Sequence, residues 1–182
     1  MSENISKFAI YSAKIFEVLH DSFPIPITLY RDSIISEYLT FDRGDELKEL
    51  KLRHDIADLI QSSEDEELRN SIKEKIPAIK SKIYDLEEVQ YSDMRHQQRI
   101  YDGTLDFLIY EELLRECESG GYQLTSKGFS HLNMIFKKGE ISDDKRSNIA
   151  ILKTIFEKSS DTSLQVAAGT AVNVITRMLG YG

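Results

Sequence analysis

Residues 116–128 read ECESGGYQLTSKG. The stretch from Leu114 to Glu118 has strand character, and Tyr122-Gln123-Leu124 suits a returning strand. Between them, Ser119-Gly120-Gly121 suits a tight turn, because glycine enters the positive-φ region without a Cβ clash. Thr125 is a good N-cap, since its hydroxyl can accept a hydrogen bond from a backbone N–H of the first helical turn. A helix is therefore expected over 126–137, with Phe129, Leu132 and Ile135/Phe136 inward.

Upstream, residues 94–115 predict a helix, with Ile100, Leu105, Leu108, Ile109 and Leu113 on one broad apolar face and Gly103 as a weak point. Nearer the start, residues 5–22 carry Phe8, Tyr11, Ile15 and Val18/Leu19 at helical spacing. Phe23-Pro24-Ile25-Pro26 ends that helix, because proline lacks a backbone donor and restricts the residue before it. Ile27-Thr28-Leu29 is extended in character. Residues 31–40 read as a short helix with Ile34, Ile35, Tyr38 and Leu39 inward.

Residues 42–91 differ in character, with dense charge and thin apolar stripes. Leu52, Ile56, Leu59 and Ile60 give one face of a helix over 45–61. Ser62 or Ser63 is the expected N-cap of the next helix, with acidic residues in its first turn. Leu68, Ile72, Ile76, Ile79, Ile83 and Leu86 then form a heptad-like seam. Pro77 implies a kink, or a new helix that begins near it. An antiparallel helical hairpin and an arm that pairs with another chain both fit this pattern. Downstream, 138–144 reads as a linker, 145–158 as a helix, and 162–179 as a final helix rich in small residues.

With 42–91 set aside, the order is helix, extended segment, helix, helix, strand, two-glycine turn, strand, helix. Residues 104–132, TLDFLIYEELLRECESGGYQLTSKGFSHL, resemble the third helix and wing of bacterial winged-helix proteins. Leu124, Thr125 and Gly128 match the Leu-Thr-x-x-Gly start of the helix after the wing. The resemblance implies a mainly α fold. Its winged-helix core spans 1–41 and 92–138, a charged helical arm is inserted at 42–91, and C-terminal helices occupy 139–182. Winged helices serve both as DNA readers and as protein-docking modules, so the fold leaves function open. An ordinary β-hairpin in an α+β domain is the alternative.

The 182-residue chain carries a formal net charge of −8, against broad nonspecific binding to nucleic acid. Its single cysteine, Cys117, can form no intrachain disulfide, which fits a reducing compartment. The N-terminal stretch lacks the shape of a signal peptide and no apolar run is long enough to span a bilayer, so a cytoplasmic location without membrane contact is expected.

If the fold is a winged helix, Arg95, His96, Gln97, Gln98 and Arg99 lie early on the recognition helix. Arg suits guanine and phosphate, and Gln suits adenine edges. Asp93, Asp102 and Asp106 on the same helix, and Glu116 and Glu118 on the wing, would repel phosphate. In the last helix, Leu164, Ala168, Ala171, Ile175 and Met178 form a stripe suited to packing within the chain, or to self-association or a partner protein. A Cys117/His131 pair lacks a third group. His20, His54, His96 and His131 have no metal-ligand spacing, and no glycine-rich phosphate loop occurs. The expectation is a non-enzymatic protein, with no cofactor or metal and no evident small-molecule substrate. It acts as a protein-interaction or regulatory subunit through self-association or a partner. The alternative is a dimeric sequence-specific DNA-binding transcription regulator.

Overall fold

The computed structural model describes residues 3–38, 43–62, 65–118, 120–134, 146–157 and 164–180, with backbone alone at 155–157, 164, 165 and 167. The fold is mainly helical, with a two-stranded antiparallel sheet. Two compact units are present: Met1–Glu37 with Gln97–Gly182, and Tyr38–His96.

In the first unit, α1 (Glu3–Ser22) buries Ala9, Ile10, Tyr11, Ala13, Ile15, Phe16 and Leu19. This is more than one helical face, because α7 (Asn148–Glu157), α8 (Leu164–Met178) and the hairpin all pack on it. Ala9 and Ala13 on α1 and Ala168 and Ala171 on α8 are all buried. Such small side chains let two helix axes approach closely. After α1, the Ile27 N–H donates to the Tyr122 carbonyl at 3.0 Å, and the Tyr122 N–H donates back at 2.8 Å. The extended segment thus joins the hairpin through one bridge. The next helix, α2 (Arg31–Tyr38), buries Ile34 and Ile35 in this unit, and its last residue, the buried Tyr38, belongs to the second. Leu39 and Thr40, expected to complete it, lie outside the described residues.

The long helix α5 (Ile76–Tyr110) runs unbroken through Gly103, whose missing Cβ faces open space. It ends at Tyr110 rather than at the expected 115, and the reason is local. Glu112 adopts φ 58. Its N–H donates to the Ile109 carbonyl at 2.9 Å, and the Leu113 N–H donates to Leu108 at 3.0 Å. These paired bonds close a Schellman motif around a left-handed residue, here glutamate where glycine is usual. Leu108 and Leu113, both buried, supply the apolar contact that accompanies it.

The chain can then turn directly into β1 (Leu114–Glu116), which pairs with β2 (Tyr122–Leu124) in the register Leu114↔Leu124, Arg115↔Gln123, Glu116↔Tyr122. The two glycines have different roles. Gly120 takes φ +80, whereas a Cβ on Gly121 would lie 3.1 Å from the Ile27 carbonyl oxygen. Thr125 caps α6 (Ser126–Asn133) as expected, with its Oγ1 accepting from the Gly128 N–H at 3.0 Å. The same hydroxyl donates to the Glu112 carbonyl at 2.6 Å. A Cβ on Gly128 would fall 2.2 Å from the Leu113 oxygen. The Thr-x-x-Gly pattern therefore presses α6 against the end of α5. Of the expected helix over 126–137, residues 135–137 lie outside the description, as does the 138–144 linker.

In the second unit, α3 (Gly44–Gln61), α4 (Glu66–Lys73) and residues 76–96 of α5 replace the simple seam expected. The cap of α4 is Asp65, not Ser62, and its carboxylate accepts from the Glu67 and Leu68 N–H groups at 3.1 Å. Ser62 instead follows the end of α3, and Ser63 lies outside the description. Pro77 sits in the first turn of α5, where its missing N–H costs no intrahelical bond. On α3 three of the four residues of the expected face are exposed, Leu52 at 60%, Ile56 at 47% and Leu59 at 74%, and only Ile60 among them is half-buried. The inward positions are Leu47, Leu50, His54 and Ala57, at spacings of 3, 4 and 3. Ile76, Ile79, Ile83 and Leu86 repeat that spacing on α5.

Lys51, which follows Leu50, pairs at 2.7 Å with Glu87, which follows Leu86. Lys82, which precedes Ile83, acts on Glu46, which precedes Leu47. Partner numbers rise together on the two helices, which is the arrangement of a parallel pair, with α4 as the connection between them. The expected seam is thus divided between two helices, with α4 packed on α3 and Leu68 left exposed on α4.

Candidate functional site

The first unit contains a cleft of about 450 Å³ lined by Leu29, Tyr30, Arg31, Asp32, Ser33, Tyr101, Asp102, Leu105 and Tyr122. Three elements converge on it for reasons visible in the chain. The Ile27 bridge to Tyr122 of β2 fixes the extended segment that carries Leu29 and Tyr30. The first turn of α2 brings Arg31, Asp32 and Ser33. The buried stripe of α5 places Tyr101 one helical position from the exposed Asp102.

An ion-pair chain crosses this cleft. Arg31 Nη1 donates to Asp102 at 3.1 Å, and its Nε donates to Asp32 at 3.3 Å. Gln98 Nε2 donates to the same Asp32 carboxylate at 3.1 Å. The Gln98 and Arg31 hydrogen bonds hold the Asp32 carboxyl below its ordinary range, and both aspartates hold the Arg31 guanidinium protonated. Tyr101 is 2% exposed, and its hydroxyl is buried without a hydrogen-bond partner. Burial, reinforced by Tyr122 and Asp102, pushes its pKa up to about 12. Tyr122 is also raised, first by burial and then by Glu116, Asp106 and Asp102.

The residues expected on a recognition helix separate in the structure. Gln97 is buried, and its side-chain carbonyl accepts from the Tyr11 hydroxyl at 2.8 Å. Gln98 is bound to Asp32. Arg99 is exposed. Arg95 and His96 belong to the second unit, where both are exposed and the Arg95 guanidinium lies 5.7 Å from the Tyr91 ring centre. Both amides that would read adenine are therefore engaged inside the protein. Sequence periodicity did not separate them from Arg99, because the Gln97 partner lies 86 residues away.

On α8, Ala168, Ala171, Ile175 and Met178 are buried in the chain's own core, together with Val174. The side chain of Leu164 lies outside the description. The stripe is thus used for packing within the chain, one of the alternatives read from its spacing.

Cys117 is half-buried, with its sulfur 3.8 Å from the Gln123 side-chain carbonyl. His131 Nδ1 lies 2.7 Å from the Met178 carbonyl oxygen. Each therefore faces its own neighbour. Gln123 is itself held by Arg115, through bonds of 3.0 and 2.6 Å, and by the Pro24 carbonyl. Among the described residues, no helix is long and apolar enough to cross a membrane. Sequence reasoning missed the cleft. Its signal was the tyrosine spacing at 30, 101 and 122, which has no meaning until the three elements meet.

Comparisons with protein-family models, curated proteins and solved structures find no match to this chain.

Proposed function

We propose that the chain is a non-enzymatic winged-helix protein that acts as a protein-interaction or regulatory subunit. The observation that carries this reading is the carboxylate field over the hairpin side of α5, where Asp102, Asp106 and Glu116 all act on Tyr122. Exposed Glu118 adds to it. A DNA-docking wing meets phosphate, and Lys or Arg would be required at such positions. A protein partner with basic or polar groups meets no such repulsion. The fold assignment draws its support from the element order and from the single bridge by which Ile27 joins the two-stranded hairpin.

The partner surface is assigned in part to the second unit. With the α8 stripe buried, the exposed Leu52, Ile56 and Leu59 on α3 offer an apolar face for self-association or a partner. The second reading, a dimeric DNA-binding regulator, rests on exposed Arg95 and Arg99. Engagement of Gln97 and Gln98 within the chain weighs against it.

Size-exclusion chromatography with light scattering, with and without fragmented genomic DNA at low and moderate salt, separates the two. The interaction reading predicts an assembly state indifferent to DNA. Retention of discrete fragments at moderate salt would establish the DNA reading instead.

A further inference from the structure

Tyr101 places a hydroxyl at the floor of the cleft, shielded from water and without a partner. Buried polar groups are nearly always satisfied, so this one calls for a group that the protein itself does not supply. The hydroxyl is within electrostatic reach of Tyr122, Asp102 and Arg31, all lining the same cleft, so it lies on the cleft side of α5.

The chemistry of the missing group follows from charge. Arg31 is the one cation among the lining residues, and Asp102 and Asp32 both bind it, leaving the lining with a net negative charge. Asp106 and Glu116 add to the negative field at Tyr122. The first turn of α2, which would otherwise attract an anion, already carries the Asp32 carboxylate. The rings of Tyr30, Tyr101 and Tyr122 contribute to the walls, and Tyr30 is 72% exposed at the rim. Aromatic faces beside carboxylates attract cations. A cleft of about 450 Å³ has the volume of a small-ligand site.

We propose that this cleft binds a small organic cation, an alkylammonium or alkylguanidinium group, among Tyr30, Tyr101, Tyr122 and Asp102. Tyr101 offers its hydroxyl oxygen to the cation's N–H, and Leu29 and Leu105 cover its alkyl body. The site stands on the cleft alone and does not depend on the winged-helix reading.

The test is a titration of the full chain, followed by amide chemical shifts, with n-butylammonium and ethylguanidinium, and with acetate as the anionic control. The expected result is saturable shifts confined to 29–33, 101–105 and 122 for the cations and none for acetate. Tyr101→Phe should weaken the cation by about 5- to 10-fold while the protein stays folded, because its hydroxyl has no partner to lose. Tyr30→Ala should weaken it by about 3-fold through the lost ring face. Tyr110→Ala, at an exposed position outside the cleft, should leave it unchanged.

Capped lysine and arginine peptides form the second arm. Tighter binding of the peptides assigns the cation to a partner's side chain, and tighter binding of the free amines assigns it to a small molecule. Absence of saturable shifts for the cations, saturation by acetate instead, or unchanged affinity in Tyr101→Phe overturns the proposal.

Discussion

Gly128→Ala sets two physical effects against each other. Gly128 lies within α6, and alanine is favoured over glycine in a helix interior by about 1 kcal/mol. Propensity alone therefore predicts a more stable protein. The added Cβ, however, would fall 2.2 Å from the Leu113 oxygen and 3.0 Å from its carbonyl carbon. That is short of ordinary contact by roughly 1 Å. The obstacle is backbone at the junction of α5 and β1, and no side-chain rotation relieves it. The same Leu113 oxygen accepts from the Thr125 N–H at 3.1 Å, so moving α6 outward strains the cap as well. Overpacking costs about 1–3 kcal/mol and loss of the Thr125 cap about 1 kcal/mol. Set against the propensity gain, the net expectation is a loss of about 1–3 kcal/mol. Urea unfolding followed by far-ultraviolet circular dichroism measures it as a lowered midpoint. Gly103→Ala is the matched control, since a Cβ there meets nothing within 4 Å, and it should gain about 0.5–1 kcal/mol. A Gly128→Ala protein as stable as the parent would refute the close approach of α6 to Leu113.

Glu112→Gly should stabilise by about 0.5–1 kcal/mol in the same assay, because it relieves a non-glycine residue at φ 58; a loss would contradict the Schellman ending. Leu47→Ala should cost about 2–4 kcal/mol, whereas Leu59→Ala, at 74% exposure, should change stability by less than about 0.5 kcal/mol. Equal costs would restore the inward face first read from the spacing. Unfolded tyrosine ionises near pH 10, while folded Tyr101 keeps its proton to about 12, so its contribution is present below pH 10 and is lost as pH rises through that window. Burial raises the Tyr11 and Tyr122 pKa values as well, and each such tyrosine adds a slope of up to about 1.4 kcal/mol per pH unit. Tyr101→Phe should lower the slope by about 1.4 kcal/mol per pH unit, read from urea midpoints between pH 10 and 12.

What the sequence revealed was mostly local. The two-glycine turn, the Thr125 cap and the proline stop after α1 each depend on residues a few positions apart, and each is found in the structure. The face of α3 was not legible. Leu52, Ile56 and Leu59 are more apolar than Leu47, Leu50, His54 and Ala57, yet the latter set matches the spacing of the facing stretch of α5. Hydrophobicity alone cannot identify which of two stripes meets a partner helix. The end of α5 was hidden for a different reason, since glutamate at a left-handed position carries no composition signal. The candidate reading residues at 95–99 failed to form one surface because Tyr11 and Asp32, remote in sequence, engage the two glutamines.

The central claim is that the carboxylate side of α5 and the hairpin meets protein and not DNA. Fluorescence anisotropy of a labelled random-sequence duplex pool, titrated with protein across a salt series, tests it most directly. The account predicts no binding by the parent chain at low salt, and a gain of salt-sensitive binding in the combined Asp106→Lys, Glu116→Lys and Glu118→Lys variant. Binding by the parent chain that falls steeply with salt and weakens in Arg99→Ala would contradict it.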